Sequence, residues 1–254
     1  MSTTAPTSAE VRHAGAAPLG TRVARQAAYE TGTALRNGEQ LLVTLILPLL
    51  ALVGIHVTGL LDAPDRSGLD VAVPGVLALA VVSSAFTATA ISTGFERRYD
   101  VLAALATTPL GTLGLVAGKA MSVIAVLAIQ TVVIGGVGLL LGWSPDPSGV
   151  LPALLALALG AAAFTALGLL LAGAARPEAT LAVANLVWVL IGAVGGTVFP
   201  PRWGWLELTP SGALGAALRA ALLEGAWAPA ALLVLALWTA AAVAAALRWF
   251  RWRP

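Results

Sequence analysis

Six apolar stretches, 41–61, 71–93, 120–142, 150–173, 179–199 and 227–247, contain no Asp, Glu, Lys or Arg. A helix needs roughly 20 apolar residues to cross about 30 Å of hydrocarbon, whereas a barrel strand alternates polar and apolar side chains over about ten. The stretches predict an all-α, polytopic membrane protein with six transmembrane helices. With 59% hydrophobic and 10% charged residues, the chain is far from the roughly 25% charged of a soluble domain. It has no cysteine, which excludes disulfides, thiolate metal sites and a cysteine nucleophile.

Two regions are expected, an N-terminal arm at 1–40 and a six-span transmembrane domain at 41–254. The arm is polar, with Arg12, Arg22, Arg25 and Arg36 and no signal-peptide core. Its part from Thr21 to Gln40 reads either as an interfacial helix with Val23, Ala27 and Leu35 inward, or as an unstructured arm. Pro74, Pro152 and Pro229 fall in first turns, where a missing amide hydrogen costs little, but Pro48 lies inside the first span and should kink it. Loops at 62–70 and 143–149 hold Asp62, Asp65, Asp70 and Asp146.

Six spans put both termini on one side. That side collects Arg12, Arg22, Arg25, Arg36, Arg97, Arg98, Lys119, Arg176, Arg248, Arg251 and Arg253, against Arg66, Arg202 and Arg219 opposite. By the positive-inside rule both termini are cytoplasmic, with Trp143, Trp203, Trp205 and Trp227 at the outer interface and Trp249 and Trp252 at the inner one. The apolar run from Ala213 to Leu223 is too short to cross and is interrupted by Arg219, so the region from Pro200 to Gly225 is expected to form an outer re-entrant or interfacial helical segment.

Some constellations carry little chemistry. Gly114 to Ala120 falls one residue short of a phosphate-binding loop and ends in Ala instead of a hydroxyl, so Lys119 reads as a snorkelling residue at the edge of the third span. His56 is a lone titratable group in a span, whereas a proton relay needs several. Ser83, Ser84, Thr87, Gln130 and Asn185, with Thr89, Ser92, Thr93 and Thr131, either glue helices together or line a substrate path. Gly138/Gly142 and Gly192/Gly196 have helix-packing spacing, but among 27 glycines such pairs arise by chance.

The segment 94–119 is less ordinary. Thr93-Gly-Phe-Glu96 fits a capping box, Tyr99, Leu102, Ala103 and Ala106 share a helical face, and Thr108-Pro109 stops the helix. Spacing alone leaves two readings open, an interfacial helix without a partner and a docking helix. Glu96-Arg97-Arg98-Tyr99, Leu102, Leu105, Thr108-Pro109 and Gly118-Lys119 resemble the signature loop of type-2 ABC exporter permeases. The run from Asn185 through Gly195-Gly-Thr-Val-Phe199-Pro200, Thr209-Pro210, Ala213 and Leu218 is similar to that family's segment between the fifth span and the outer helices. The family commonly has Gly-Thr where this chain has Asp100-Val101.

The resemblance implies a bacterial cytoplasmic-membrane subunit of an ATP-driven exporter for a hydrophobic or amphipathic drug, lipid or lipid-linked molecule. It implies that Glu96, Arg97, Arg98, Tyr99, Leu102, Leu105, Thr108 and Pro109 form a coupling helix. The implied partners are two copies of an ABC ATPase, which bind the ATP and Mg, a second copy or related permease, and membrane lipids. No nucleic acid, cofactor of its own or covalent chemistry is expected. The rivals are a secondary carrier, which would normally place ion ligands at the midplane, and an intramembrane enzyme, which would need companions for His56. An ABC ATPase gene beside this one, if found, would favour the exporter over both.

The topology is testable because the chain lacks cysteine. Single cysteines at positions 176 and 253 should react with an impermeant thiol reagent only in inverted vesicles, and those at 66 and 146 only in intact cells. Labelling of position 253 from outside contradicts six spans.

Overall fold

The computed structural model describes residues 17–62, 67–199 and 203–250, and the described residues form helices and connecting turns. Arg12, Asp65, Arg66, Pro200, Arg202, Arg251, Trp252 and Arg253 lie outside them. Helix α1 is Leu19–Arg36. Next come α2 (Gly38–Leu41), a π-helical segment (Leu42–Ile46) and α3 (Leu47–Thr58), which follow one another without a break. Helix α4 (Gly68–Val81), a second π segment (Val82–Ala88) and α5 (Thr89–Arg98) form another continuous rod. The short α6 (Val101–Ala106) leads to α7 (Gly111–Leu140), α8 (Val150–Ala174), α9 (Pro177–Val194), α10 (Pro210–Glu224) and α11 (Pro229–Trp249). Among the described residues, five stretches are long and apolar enough to cross a membrane: Gly68–Arg98, Gly111–Leu140, Pro147–Ala174, Pro177–Val194 and Pro229–Trp249. A shorter apolar stretch spans Thr44–Thr58.

Several expectations change. The second rod starts at Gly68, capped by Ser67, so Pro74 sits inside the helix and not in its first turn. The same rod continues through Glu96, Arg97 and Arg98. Thr93 is therefore a buried interior residue, with no partner for its hydroxyl, and caps nothing. Trp143 is buried against the bundle and covers Gly138, where a Cβ would stand 3.2 Å from its ring. Gly142 caps the end of α7 with φ 102°, so the Gly138/Gly142 pair is no helix-packing motif.

Pro48 has a traceable consequence. It removes the amide hydrogen that would bond the Thr44 carbonyl, and the π segment lies just before it. Gln130 Nε2 donates to that carbonyl at 3.0 Å, while Ser84 Oγ donates to Gln130 Oε1 at 3.1 Å. One amide thus satisfies the proline's orphan and ties the two π segments to α7.

The core gathers Phe86, Phe164, Leu214, Leu218 and Leu235, all buried, where α4, α8, α10 and α11 meet. Close approach depends on glycine: a Cβ on Gly149 would lie 1.8 Å from the Ala221 carbonyl, and one on Gly215 2.1 Å from that of Gly196. Helix α10, capped by Thr209 Oγ1 accepting from the Gly212 amide, is packed within the bundle. Arg219 there donates to the Gly196 and Thr197 carbonyls at 3.0 and 2.9 Å, closing the turn after α9. Outside the spans, Ser148 donors hold the Asp146 carboxyl below its ordinary range.

Candidate coupling site

The rod Gly68–Arg98 ends where Asp100 adopts a left-handed conformation, φ 58°, and the chain reverses into α6. A side chain in this region costs about 1–2 kcal/mol, least for Asp and Asn among non-glycine residues. The departure from the family's Gly-Thr therefore falls on a position whose backbone favours glycine, and Asp100 adopts the same turn. Thr108 ends the segment: its hydroxyl donates to the Leu105 carbonyl at 2.6 Å and accepts from the Leu110 amide at 3.4 Å.

Each of the three signature charges has a different neighbour: Glu96 and Arg97 turn inward, and Arg98 pairs at the exposed surface. Glu96 Oε1 accepts from Lys119 Nζ of α7 at 3.0 Å, and the same ammonium lies 2.8 Å from Glu30 of α1. Arg97 is buried and donates to the Gly173 and Ala175 carbonyls, satisfying the open C-terminal end of α8. Arg98 pairs with Glu178 in the first turn of α9. The stem of the loop is thus bound to α1, α7, α8 and α9 at once.

Lys119 is 3% exposed and lies in the third turn of α7, so it does not snorkel to headgroups. Its apparent phosphate loop is helix. Gly118 instead lets α1 lie close, since a Cβ there would be 2.7 Å from Gln26 Cγ, while Gly114 leaves room for the Leu110 side chain. Val23 and Ala27 bury against this face as expected, whereas Leu35 stays 37% exposed.

Leu102 is fully buried with Leu110 and Leu115, flanked by Leu105 and Phe250, and so does not belong to an outward docking face. The open face carries Tyr99, Val101, Ala104, Thr107, Thr108 and Pro109. Beside it a groove of about 380 Å³ lies between the loop and α1, lined by Arg22, Arg25, Leu105 and Pro109. Sequence reasoning missed Glu30; its spacing of four from Gln26, which donates to it at 2.8 Å, was the available signal.

The candidate path residues do not form one set. Ser83 accepts from Trp188 Nε1 at 2.6 Å, and Ser84 and Gln130 bond each other. The Thr87 hydroxyl is buried without a partner, Asn185 is exposed on α9, and His56 is exposed at the end of α3.

The profile of the ABC-2 type transporter family matches residues 27–223, more than half of the chain, and the protein belongs to that family. It is a multi-pass membrane permease component of an ABC transporter, a class that works with an ABC ATPase partner. No curated protein matches the chain.

Removing the loop's internal anchor should loosen it. Leu102→Asp buries an unpaired charge, and Asp100→Val forces a β-branched residue into the left-handed region; each should speed protease cleavage within 97–111 by roughly tenfold or more, while Asp100→Gly should not. Wild-type resistance of the Leu102→Asp protein would contradict the inward placement of Leu102.

Proposed function

We propose that this chain is the permease subunit of an ATP-driven exporter in a bacterial cytoplasmic membrane, moving a hydrophobic or amphipathic cargo. The observation that carries the reading is the loop from Tyr99 to Pro109, whose stem is tied by Glu96, Arg97 and Arg98 to four helices while Tyr99, Val101 and Ala104 stay exposed. A force applied at such a loop reaches the bundle through rigid connections instead of being lost in a flexible one.

Two ATPase subunits would dock on this face of two permeases, binding the ATP and Mg that this chain does not. The helical stretch from Gly38 to Thr58, at about 1.5 Å per residue, is long enough to add a sixth crossing, which with the basic loops puts both termini in the cytoplasm. Helix α9 supports pairing with a second permease, because only 11% of its apolar window is buried and it exposes Asn185. An amide facing lipid is costly, and a partner helix or a substrate path would satisfy it. We assign Ser83, Ser84 and Gln130 to bracing and keep Thr87 and Asn185 as path-lining candidates. A proton-coupled carrier is the second reading, favoured by one observation: the buried Glu30–Lys119–Glu96 group.

Ala104 is exposed, so a bulky residue there should leave the bundle folded and obstruct docking. Ala104→Trp should co-purify its ATPase subunit at least about tenfold less well than wild type, as expected where a contact near the centre of an interface is blocked. Undiminished recruitment would move the docking face elsewhere.

A further inference from the structure

The groove between α1 and the coupling loop holds positive charge that no acid among the described residues answers. Arg22 and Arg25 line it against a wall of Leu105, Pro109 and Leu110. The acids of this end are spent elsewhere: Glu30 and Glu96 on Lys119, and Glu178 on Arg98, while Asp100 pairs with neither arginine. The first turn of α7, which starts at Gly111 beside that wall, holds no acidic residue either, so the positive end of its dipole adds to the two guanidinium charges. Arg22 is half-buried, and its Nε is buried without a hydrogen-bond partner. A charge partly withdrawn from water and left unpaired is costly. With Nε closed off and the two Nη atoms open, an anion would meet this guanidinium end-on.

Two observations say which anion. The first is depth. Leu110 precedes Lys119 by nine residues, about 13 Å along α7, and the uncharged run of α7 begins only after Lys119. Lipid head groups extend only about 5–7 Å beyond the hydrocarbon, so the groove lies below the phosphate layer of the membrane. The second is the company the arginines keep. Arg22, Arg25 and Tyr29 share one face of α1, and Tyr29 is 68% exposed; the protein's other tyrosine, Tyr99 of the loop, is 69% exposed. Both tyrosines thus stand open on the two elements that bound the groove. Arginine and tyrosine are the residues that most often anchor protein interfaces, whereas a free phosphate would leave the apolar wall and both rings uncovered.

We propose that the ATPase partner sets an acidic segment into this groove, one carboxylate end-on against Arg22 and a second against Arg25, with Tyr29 and Tyr99 on its flanks. Helix α1 is then a second docking element beside the exposed face of the loop. Because Glu30 ties α1 to Lys119, load taken up by α1 enters the bundle beside the end of the Gly68–Arg98 rod. The proposal gives the partner's chemistry and rests on the reading that an ABC ATPase docks at this loop.

The test measures binding of the purified ATPase subunit to the full-length permease in nanodiscs of neutral phospholipid, at low and high salt. Wild-type affinity should fall as salt rises. Joint replacement of Arg22→Gln and Arg25→Gln should weaken binding at low salt by at least about tenfold and flatten the salt dependence, as expected when charged contacts are removed from an interface. Arg25→Glu alone, a change at an exposed position that leaves packing untouched, should weaken it about threefold or more, and decides the matter if the double variant fails to fold. Arg36→Gln removes the same charge from the exposed far end of α1 and should bind as wild type. Unchanged affinity and salt dependence in the arginine variants overturns the proposal, as does an equal loss in Arg36→Gln, which would reduce the effect to overall charge. Nanodiscs containing anionic phospholipid supply the remaining arm: enrichment of that lipid around wild type but not the double variant, with ATPase binding the same in both, would make the membrane the occupant and overturn the proposal. Binding lost in Ala104→Trp but kept in the arginine variants would leave docking on the loop standing and remove the α1 contact alone. Failure of the wild type to bind any ATPase would remove both.

Discussion

A lysine ammonium held out of water is tolerable only with carboxylates against it, and Lys119 has two, from Glu30 and Glu96. Because the three residues lie on α1, α7 and α5, the requirement is met only when these helices are assembled. Removing one member of a buried charged group typically costs about 3–5 kcal/mol, since it strands the other charges. This constraint fixes where the Gly68–Arg98 rod stops relative to α1, and so where the loop from Tyr99 to Pro109 projects. Arg97 and Arg98 extend it to the ends of α8 and α9.

The same economy recurs inside the bundle. Pro48 frees a carbonyl in a place without water, and the fold answers with Gln130, itself fixed by Ser84. Of the polar residues inside the spans, Gln130 is taken up by backbone, and Ser83 and Ser84 by the side chains of Trp188 and Gln130.

The apolar runs and the family's motif were legible because hydrocarbon thickness and backbone satisfaction act on composition itself. Helix ends were less so. Glu96, Arg97 and Arg98 look like the beginning of a loop, yet each has a partner distant in sequence, and a paired charge continues a helix where an unpaired one would end it. Lys119 was misplaced for the same reason, since its partners Glu30 and Glu96 are 89 and 23 residues away. The inward turn of Leu102 depends on Leu110 and Leu115 folding back over it, which a periodic pattern in one short helix does not encode. Asp100 was visible as a departure from Gly, but only the backbone angle shows what the position demands.

The drive proposed for this permease is force delivered by a nucleotide-hydrolysing partner through the loop from Tyr99 to Pro109, with the Glu30–Lys119–Glu96 group serving as a brace that relays no protons. Its most direct measurement is uphill movement of an amphipathic substrate in proteoliposomes containing permease and ATPase, with the nucleotide sites facing the added ATP and a protonophore present. Transport should require hydrolysable ATP and survive collapse of the proton gradient. Sustained uphill transport without nucleotide, abolished by the protonophore, would contradict it.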